Sequence, residues 1–370
     1  MAAAAEPGPV AGATGDAEAD GNDGPAPSWT RIFTWASFGL AFIALGLTVW
    51  SVGPRTLLDQ LGAIGLGFVA VVAIEVVVTL CDSAALSSFL GHGGRRATYL
   101  QVVRAQVAGR AINAVTPLAS LGEATKATTL MEHTSSRRAI AAVFHYNLAT
   151  IAIRMGTIAI GAPICGLALD LPHVLVVALF AGGAVAAAVL IGGVLLVRRG
   201  MLVTLVDAAR SIRVLSRDRA KRWRQKVLEI DRYKPKHRKQ QSRWVPTMWI
   251  VTSRLLALGS MWVVLASVGY TAGPGTIAAV ATAGQLISMI ASVVPMGLGI
   301  SEGSNAALFA ALGVPPSLGV TMVLGGRITL LAYAVLGLVL LSASTAVVHT
   351  ARRVRARTHT GMRRAATQVP

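Results

Sequence analysis

The sequence predicts an all-α polytopic membrane protein: about six full spans and two broken re-entrant helical hairpins entering from opposite sides, arranged as inverted repeats. Three observations predict it. Of 370 residues, 54% are hydrophobic and 14% charged, and the mean hydropathy is +0.62. Soluble proteins usually carry about 25% charged residues. Several apolar runs exceed the roughly 18 residues that mark a membrane-crossing helix. Finally, the basic residues fall in two blocks rather than being spread along the chain, and two apolar stretches are interrupted by Pro and Gly.

The elements follow in order. Residues 1–28 are Ala/Gly/Pro-rich with five acids (Glu6, Asp16, Glu18, Asp20, Asp23) and no base, which reads as a disordered acidic cytoplasmic tail. The segment lacks the basic start and apolar core of a cleavable signal peptide. The first membrane half, 29–197, holds apolar spans near 31–52, 60–90, 139–161 and 173–197, with a broken stretch at 98–133. Residues 198–246 are a basic loop of 16 Lys/Arg against four acids. Leu202, Leu205, Val206, Ala209 and Ile212 follow helical spacing there, with Arg210, Arg213 and Arg217 on other faces. An amphipathic helix on anionic headgroups and a solvated linker both fit that pattern. The second half, 247–348, has spans near 247–270 and 317–347 around a broken stretch at 276–313. The tail, 349–370, holds six arginines from Arg352 onward and no acid.

Cytoplasmic loops collect Lys and Arg, so the net charge of +18 reads as topology and not as nucleic-acid binding. With the basic loop and the tail both cytoplasmic, an even number of crossings separates them. Spans 247–270 and 317–347 supply two, so 276–313 enters and leaves from outside. The same counting makes 98–133 begin and end inside, and Arg95, Arg96, Arg137 and Arg138 flank it. Arg55 is the one base in the proposed external loops. This places the chain in the cytoplasmic (inner) membrane, multi-pass, with both termini cytoplasmic. The broken centres also resemble each other. "NAVTPLASLGEATKATTL" sets Pro117 six residues before Glu123, and "ASVVPMGLGISEGSNAAL" sets Pro295 seven before Glu302. Inverted repeats with interrupted helices are an architecture of secondary transporters, whose sites lie at the midplane.

A charge inside the bilayer costs several kcal/mol and is a functional candidate by default. Nine are taken to lie within it: Glu75, Asp82, Arg110, Glu123, Lys126, Arg154, Arg254, Glu302 and Arg327. Arg327 lies ten residues into its span, about 15 Å deep at 1.5 Å per residue. Glu123 and Glu302 sit at hairpin turns, so they approach the same depth. Pro117, Gly122, Pro295, Gly297, Gly299 and Gly303 are the expected breaks in the hairpins. Broken backbone at that depth is tolerated only inside protein or along a cavity. Ser120 and Glu123 also fit a capping box, which would make Glu123 a helix cap, and Glu302 is open to the same reading. Asn113, Gln285 and Asn305 are candidate pocket-lining groups or bridges between helices.

Two cysteines, Cys81 and Cys165, form no CxxC, and seven scattered histidines form no HExxH, so neither a disulfide framework nor a metal site is expected. No cofactor is expected either. His145 with Tyr146 is the nearest approach to a nucleophile with an activating base.

At these residues the sequence resembles the membrane region of the lysylphosphatidylglycerol synthase/flippase family. "GRAINAVTPLASLGEATKATTL" carries Gly109, Arg110, Asn113, Pro117, Gly122, Glu123 and Lys126 in the family's order, and "VPMGLGISEG" is followed by Leu312, Gly313 and Arg327. Met296 and Leu298 flank Gly297 where related chains often have adjacent glycines. The resemblance, over roughly 30–348, implies lipid translocation. About 22 residues follow the last span, so the aminoacyl transferase of two-domain members is not expected here. The expected function is therefore flippase-like: no enzyme activity and no catalytic residue, with a phosphate-bearing lipid headgroup moved through a midplane Arg/Glu site. Arg110, Arg327 and Arg154 hold the phosphate in that reading. Glu123 and Glu302 balance charge or take up a proton or amine, and Asn113, Lys126 and Asn305 line the path. The partners are an anionic or zwitterionic lipid and the bilayer, with a membrane-bound lipid-modifying enzyme and a second copy of the chain as further candidates. An intramembrane lipid-phosphate transferase and a non-transporting partner of a cell-envelope glycolipid synthase are the alternatives.

Overall fold

A glycine divides the first long apolar stretch. The computed structural model describes residues 54–91, 97–115, 120–198, 244–291, 299–332 and 335. The expected span 31–52, Pro117, Pro295, Gly297, nearly all of the basic loop and the C-terminal tail lie outside the described residues. The stretch expected as one span at 60–90 is two helices, α1 (Pro54–Ile64) and α2 (Gly67–Leu90). Gly65 between them has φ +56°, a left-handed conformation that suits glycine and ends α1.

The broken stretch 98–133 is a helix pair, α3 (Tyr99–Val115) and α4 (Ser120–Met131). Gly109 faces Lys126 while Asn113 faces Gly122, so the two run antiparallel. Their 17 and 12 residues reach about 25 and 18 Å, each short of a bilayer core of about 30 Å. The chain continues with α5 (Ser136–Ala168), α6 (His173–Arg198), α7 (Trp244–Ser267), α8 (Pro274–Ala291), α9 (Ile300–Ala311) and α10 (Pro316–Ala332).

Five described helices, α2, α5, α6, α7 and α8, are long and apolar enough to cross a membrane. This is a multi-pass membrane protein, all-helical among the described residues. α8 belongs to the stretch expected as re-entrant, yet its 18 residues reach about 27 Å, nearly the core thickness. It is that long because it runs on through a π turn, Val280–Gly284.

α2 and α7 lie antiparallel along their lengths: Gly67 abuts Ser267 at one end, and Asp82 meets Ser253 and Arg254 further along. Leu86, Val102, Leu130, Tyr146 and Ile250 bury a core that joins this pair to α3, α4 and α5. A second core of Ile158, Leu179, Ala283 and Leu308 joins α5, α6, α8 and α9. On α6, Val174, Val177, Phe180, Val185, Val189 and Ile191 are exposed, an apolar face suited to lipid.

Candidate functional site: ion pairs inside the helices

Polar residues on α2 recur at helical spacing. Glu75, Thr79 and Asp82 stand at i, i+4 and i+7, one face of the helix. Glu75 Oε2 accepts from Arg110 Nη2 of α3 at 2.7 Å, and Arg110 Nη1 donates to Thr79 Oγ1 at 2.6 Å. Asp82, 3% exposed, accepts from Ser253 Oγ at 2.6 Å and takes Arg254 Nη2 at 3.0 Å from each oxygen. Removing either partner of such a buried pair costs roughly 3–5 kcal/mol, so each pair fastens α2 to a neighbour, α3 or α7.

Glu123 is more than a helix cap. Its Oε1 accepts from Asn113 Nδ2 at 3.0 Å and Lys126 Nζ at 2.8 Å, and its Oε2 from Asn147 Nδ2 at 2.6 Å. Residues of α3, α4 and α5 thus meet at one carboxylate. Lys126 is 3% exposed, with Nζ 5.4 Å from the centre of the Tyr146 ring, whose quadrupole attracts the ammonium. Asn113 also accepts from the Gly122 amide through Oδ1, at 2.8 Å.

Glu302 takes both roles considered for it. Its Oε2 accepts from the Gly299 amide at 2.9 Å, closing the N-terminus of α9, and its Oε1 forms an ion pair with Arg327 Nη1 of α10. Gly299 has φ +79°, so a side chain would be strained at this turn. Asn305, one turn further along α9, donates to the Ser301 carbonyl at 2.8 Å, while its buried Oδ1 has no hydrogen-bond partner.

The nine charges taken to lie within the bilayer therefore divide unevenly. Four acids pair with four bases: Glu75 with Arg110, Asp82 with Arg254, Glu123 with Lys126, and Glu302 with Arg327. The ninth is Arg154 of α5, which makes no ion pair or hydrogen bond among the described residues.

The profile of one known family, "Lysylphosphatidylglycerol synthase TM region", matches residues 34–337, most of the chain. The chain belongs to that family. No curated protein and no solved structure matches it. Membership ties this lysylphosphatidylglycerol synthase TM-region protein to membrane lipids.

Within this family member the structure brings the sequence-derived site residues together in three places. Arg110, Asn113, Glu123 and Lys126 lie along α3 and α4, Glu302, Asn305 and Arg327 along α9 and α10, and Arg154 on α5. Two arginines assigned to phosphate, Arg110 and Arg327, already hold carboxylates. Glu75, Asp82 and Arg254 count among the intramembrane charges but fall outside the expected site, and sequence reasoning misses Thr79, Asn147 and Ser253. The i, i+4, i+7 polar spacing on α2 is the signal that would have found Thr79. His145 and Tyr146 do not act on each other. His145 Nδ1 lies 2.6 Å from the Ala141 carbonyl, whereas the Tyr146 hydroxyl accepts from Gln106 Nε2 at 3.2 Å.

Two glycines expected as breaks are helical. Gly122 lies within α4, and a Cβ there would sit 2.1 Å from Asn113 Oδ1 and 2.2 Å from the Gly109 carbonyl oxygen. Its smallness serves a close helix crossing. Gly303 lies within α9 and faces open space, with nothing within 4 Å of where a Cβ would stand. Gly122→Ala should lower thermal stability in detergent by about 1–3 kcal/mol, the usual cost of overpacking. Gly303→Ala should be neutral or stabilising by about 0.5–1 kcal/mol, since alanine favours helix. Equal melting of the two variants would dissociate the crossing from stability.

Proposed function

We propose that this protein moves a phosphate-bearing lipid headgroup across the bilayer by exchange of ion-pair partners. The observation that supports the reading is the set of four ion pairs held within apolar helices, in a chain whose family ties it to membrane lipids. An inert membrane anchor has no use for charges that cost several kcal/mol each.

Exchange keeps every charge neutralised. A phosphate arriving at Arg327 displaces Glu302, whose other oxygen stays bonded to the Gly299 amide. The α9 N-terminus is favourable to the displaced carboxylate that caps it. Arg110 offers a second station, with Thr79 as an alternative acceptor when Glu75 is displaced. Glu123, held by Asn113, Lys126 and Asn147, balances the positive path and suits a headgroup amine. No nucleotide is required. In this reading the α3–α4 and α8–α9 pairs are the re-entrant hairpins of two inverted halves.

Reconstitution tests the reading. Liposomes carrying the purified wild-type chain and tail-labelled phosphatidylglycerol should lose the label of both leaflets to an impermeant quencher, while empty liposomes lose only about half. Protein-containing liposomes indistinguishable from empty ones would reject translocation.

A further inference from the structure

Of those nine charges, Arg154 is the one without a carboxylate. It stands on α5 and is exposed, 18 residues after the helix begins at Ser136. An arginine does not shed its charge, and at membrane depth it requires an anion or a cluster of carbonyls.

Among the described residues no acceptor is bonded to it. Arg254 is close enough for the two guanidinium charges to act on each other. Arg254 spends Nη2 on Asp82, while its Nε is buried with no hydrogen-bond partner. Thr150, one turn before Arg154 on the same face of α5, has a buried Oγ1 that is also unpartnered. The face is the right one. Tyr146, a further turn back, packs in one core with Leu86 of α2 and Ile250 of α7, so the 146–150–154 ridge looks toward those helices. Asp82 is bonded to Arg254 and no described carboxylate is bonded to Arg154, which leaves one positive charge in excess. Arg254 is ten residues into the 24-residue α7, about 15 Å deep, near the middle of the core.

We propose that Arg154, Arg254 and Thr150 form an anion site at mid-membrane, between α5 and α7, that takes the phosphate of a lipid entering sideways from the bilayer. The chemistry is that of a phosphate monoanion: one net charge to neutralise, with guanidinium N–H groups and a hydroxyl to donate to its oxygens. Asp82 and Ser253 are positioning residues that hold Arg254 in place. The proposal rests on the lipid-translocation reading for its ligand but assigns a station that neither Arg110 nor Arg327 provides.

The test uses the full chain in detergent and two tail-labelled probes with identical acyl chains, phosphatidylglycerol and diacylglycerol. Arg154→Gln removes an unpaired charge, so it should fold and melt no lower than wild type. It should weaken phosphatidylglycerol binding about tenfold or more and leave diacylglycerol binding unchanged. Arg154→Lys, which keeps the charge, should lose less. Competition by inorganic phosphate at millimolar concentration, without retention of labelled phosphatidylglycerol, would assign the site to a free anion and overturn the lipid source. Equal phosphatidylglycerol binding by wild type and Arg154→Gln, or equal loss of both probes, would overturn the site itself. Liposome transport by the same preparations separates the two readings. Normal transport with normal binding in Arg154→Gln rejects the site and spares translocation, whereas selective binding by a wild type that moves no lipid does the reverse.

Discussion

Arg327→Gln should abolish lipid movement while Glu302→Gln should abolish it and spare more of the binding. The two side chains are 13% and 20% exposed, and each is the other's counter-charge. Loss of either leaves a charge uncompensated, at a cost of roughly 3–5 kcal/mol. The consequences differ in kind. Without Arg327 the second half loses its cation for phosphate, and Glu302 remains anchored to the Gly299 amide. Without the Glu302 charge, Arg327 stays available to phosphate but loses the carboxylate that competes for it, so the headgroup binds and is released more slowly. Both variants should be purified, checked for folding by their melting, and assayed for quencher access in liposomes and for retention of labelled phosphatidylglycerol. A folded Arg327→Gln that transports normally would remove this arginine from the mechanism and leave Glu302 a helix cap.

That pair was legible in the sequence because depth can be counted along helices. Nine residues up α9 and eleven down α10 return the chain to about one level, and the structure joins Glu302 to Arg327 there. The α3–α4 break was legible for a similar reason, since Pro and Gly interrupt an apolar run. Partner choice was not. Glu75 and Arg110 are 35 positions apart, and Asp82 and Arg254 are 172 apart. Which helix faces which is decided by packing of nearly uniform apolar surfaces, and such surfaces carry little pairing information. The division of α1 from α2 was hidden too, because one glycine in an apolar run reads equally as helix or turn. The π turn in α8 leaves no mark in the apolar pattern at all.

The uneven split of charges also bears on conformation. Three of the four ion pairs join different helices: α2 to α3, α2 to α7 and α9 to α10. The fourth, Glu123 with Lys126, lies within α4, yet Asn113 and Asn147 extend it to α3 and α5. A headgroup that displaces one carboxylate therefore loosens one helix contact at a time. Coupling of ligand to helix movement is built into such an arrangement, because binding and packing draw on the same side chains.

Asp82→Asn should be among the most destabilising single substitutions in the described helices. Asp82 is the carboxylate that holds Arg254 at 3.0 Å, and the unpaired Arg154 acts on the charge of Arg254. Asparagine keeps the shape and can still accept from Ser253, but it leaves Arg254 without its counter-charge beside a second guanidinium. The expected loss is about 3–5 kcal/mol, read as a lowered melting temperature in detergent. The second substitution identifies the cause. Arg154→Gln removes the repelling neighbour, so the double variant Asp82→Asn/Arg154→Gln should recover part of the loss. Residues acting through one shared partner give coupling energies on the order of 0.5–3 kcal/mol in such a cycle. Arg154→Gln alone should melt at or above wild type. A double variant that melts no higher than Asp82→Asn would show that Arg154 does not act on the Asp82–Arg254 pair.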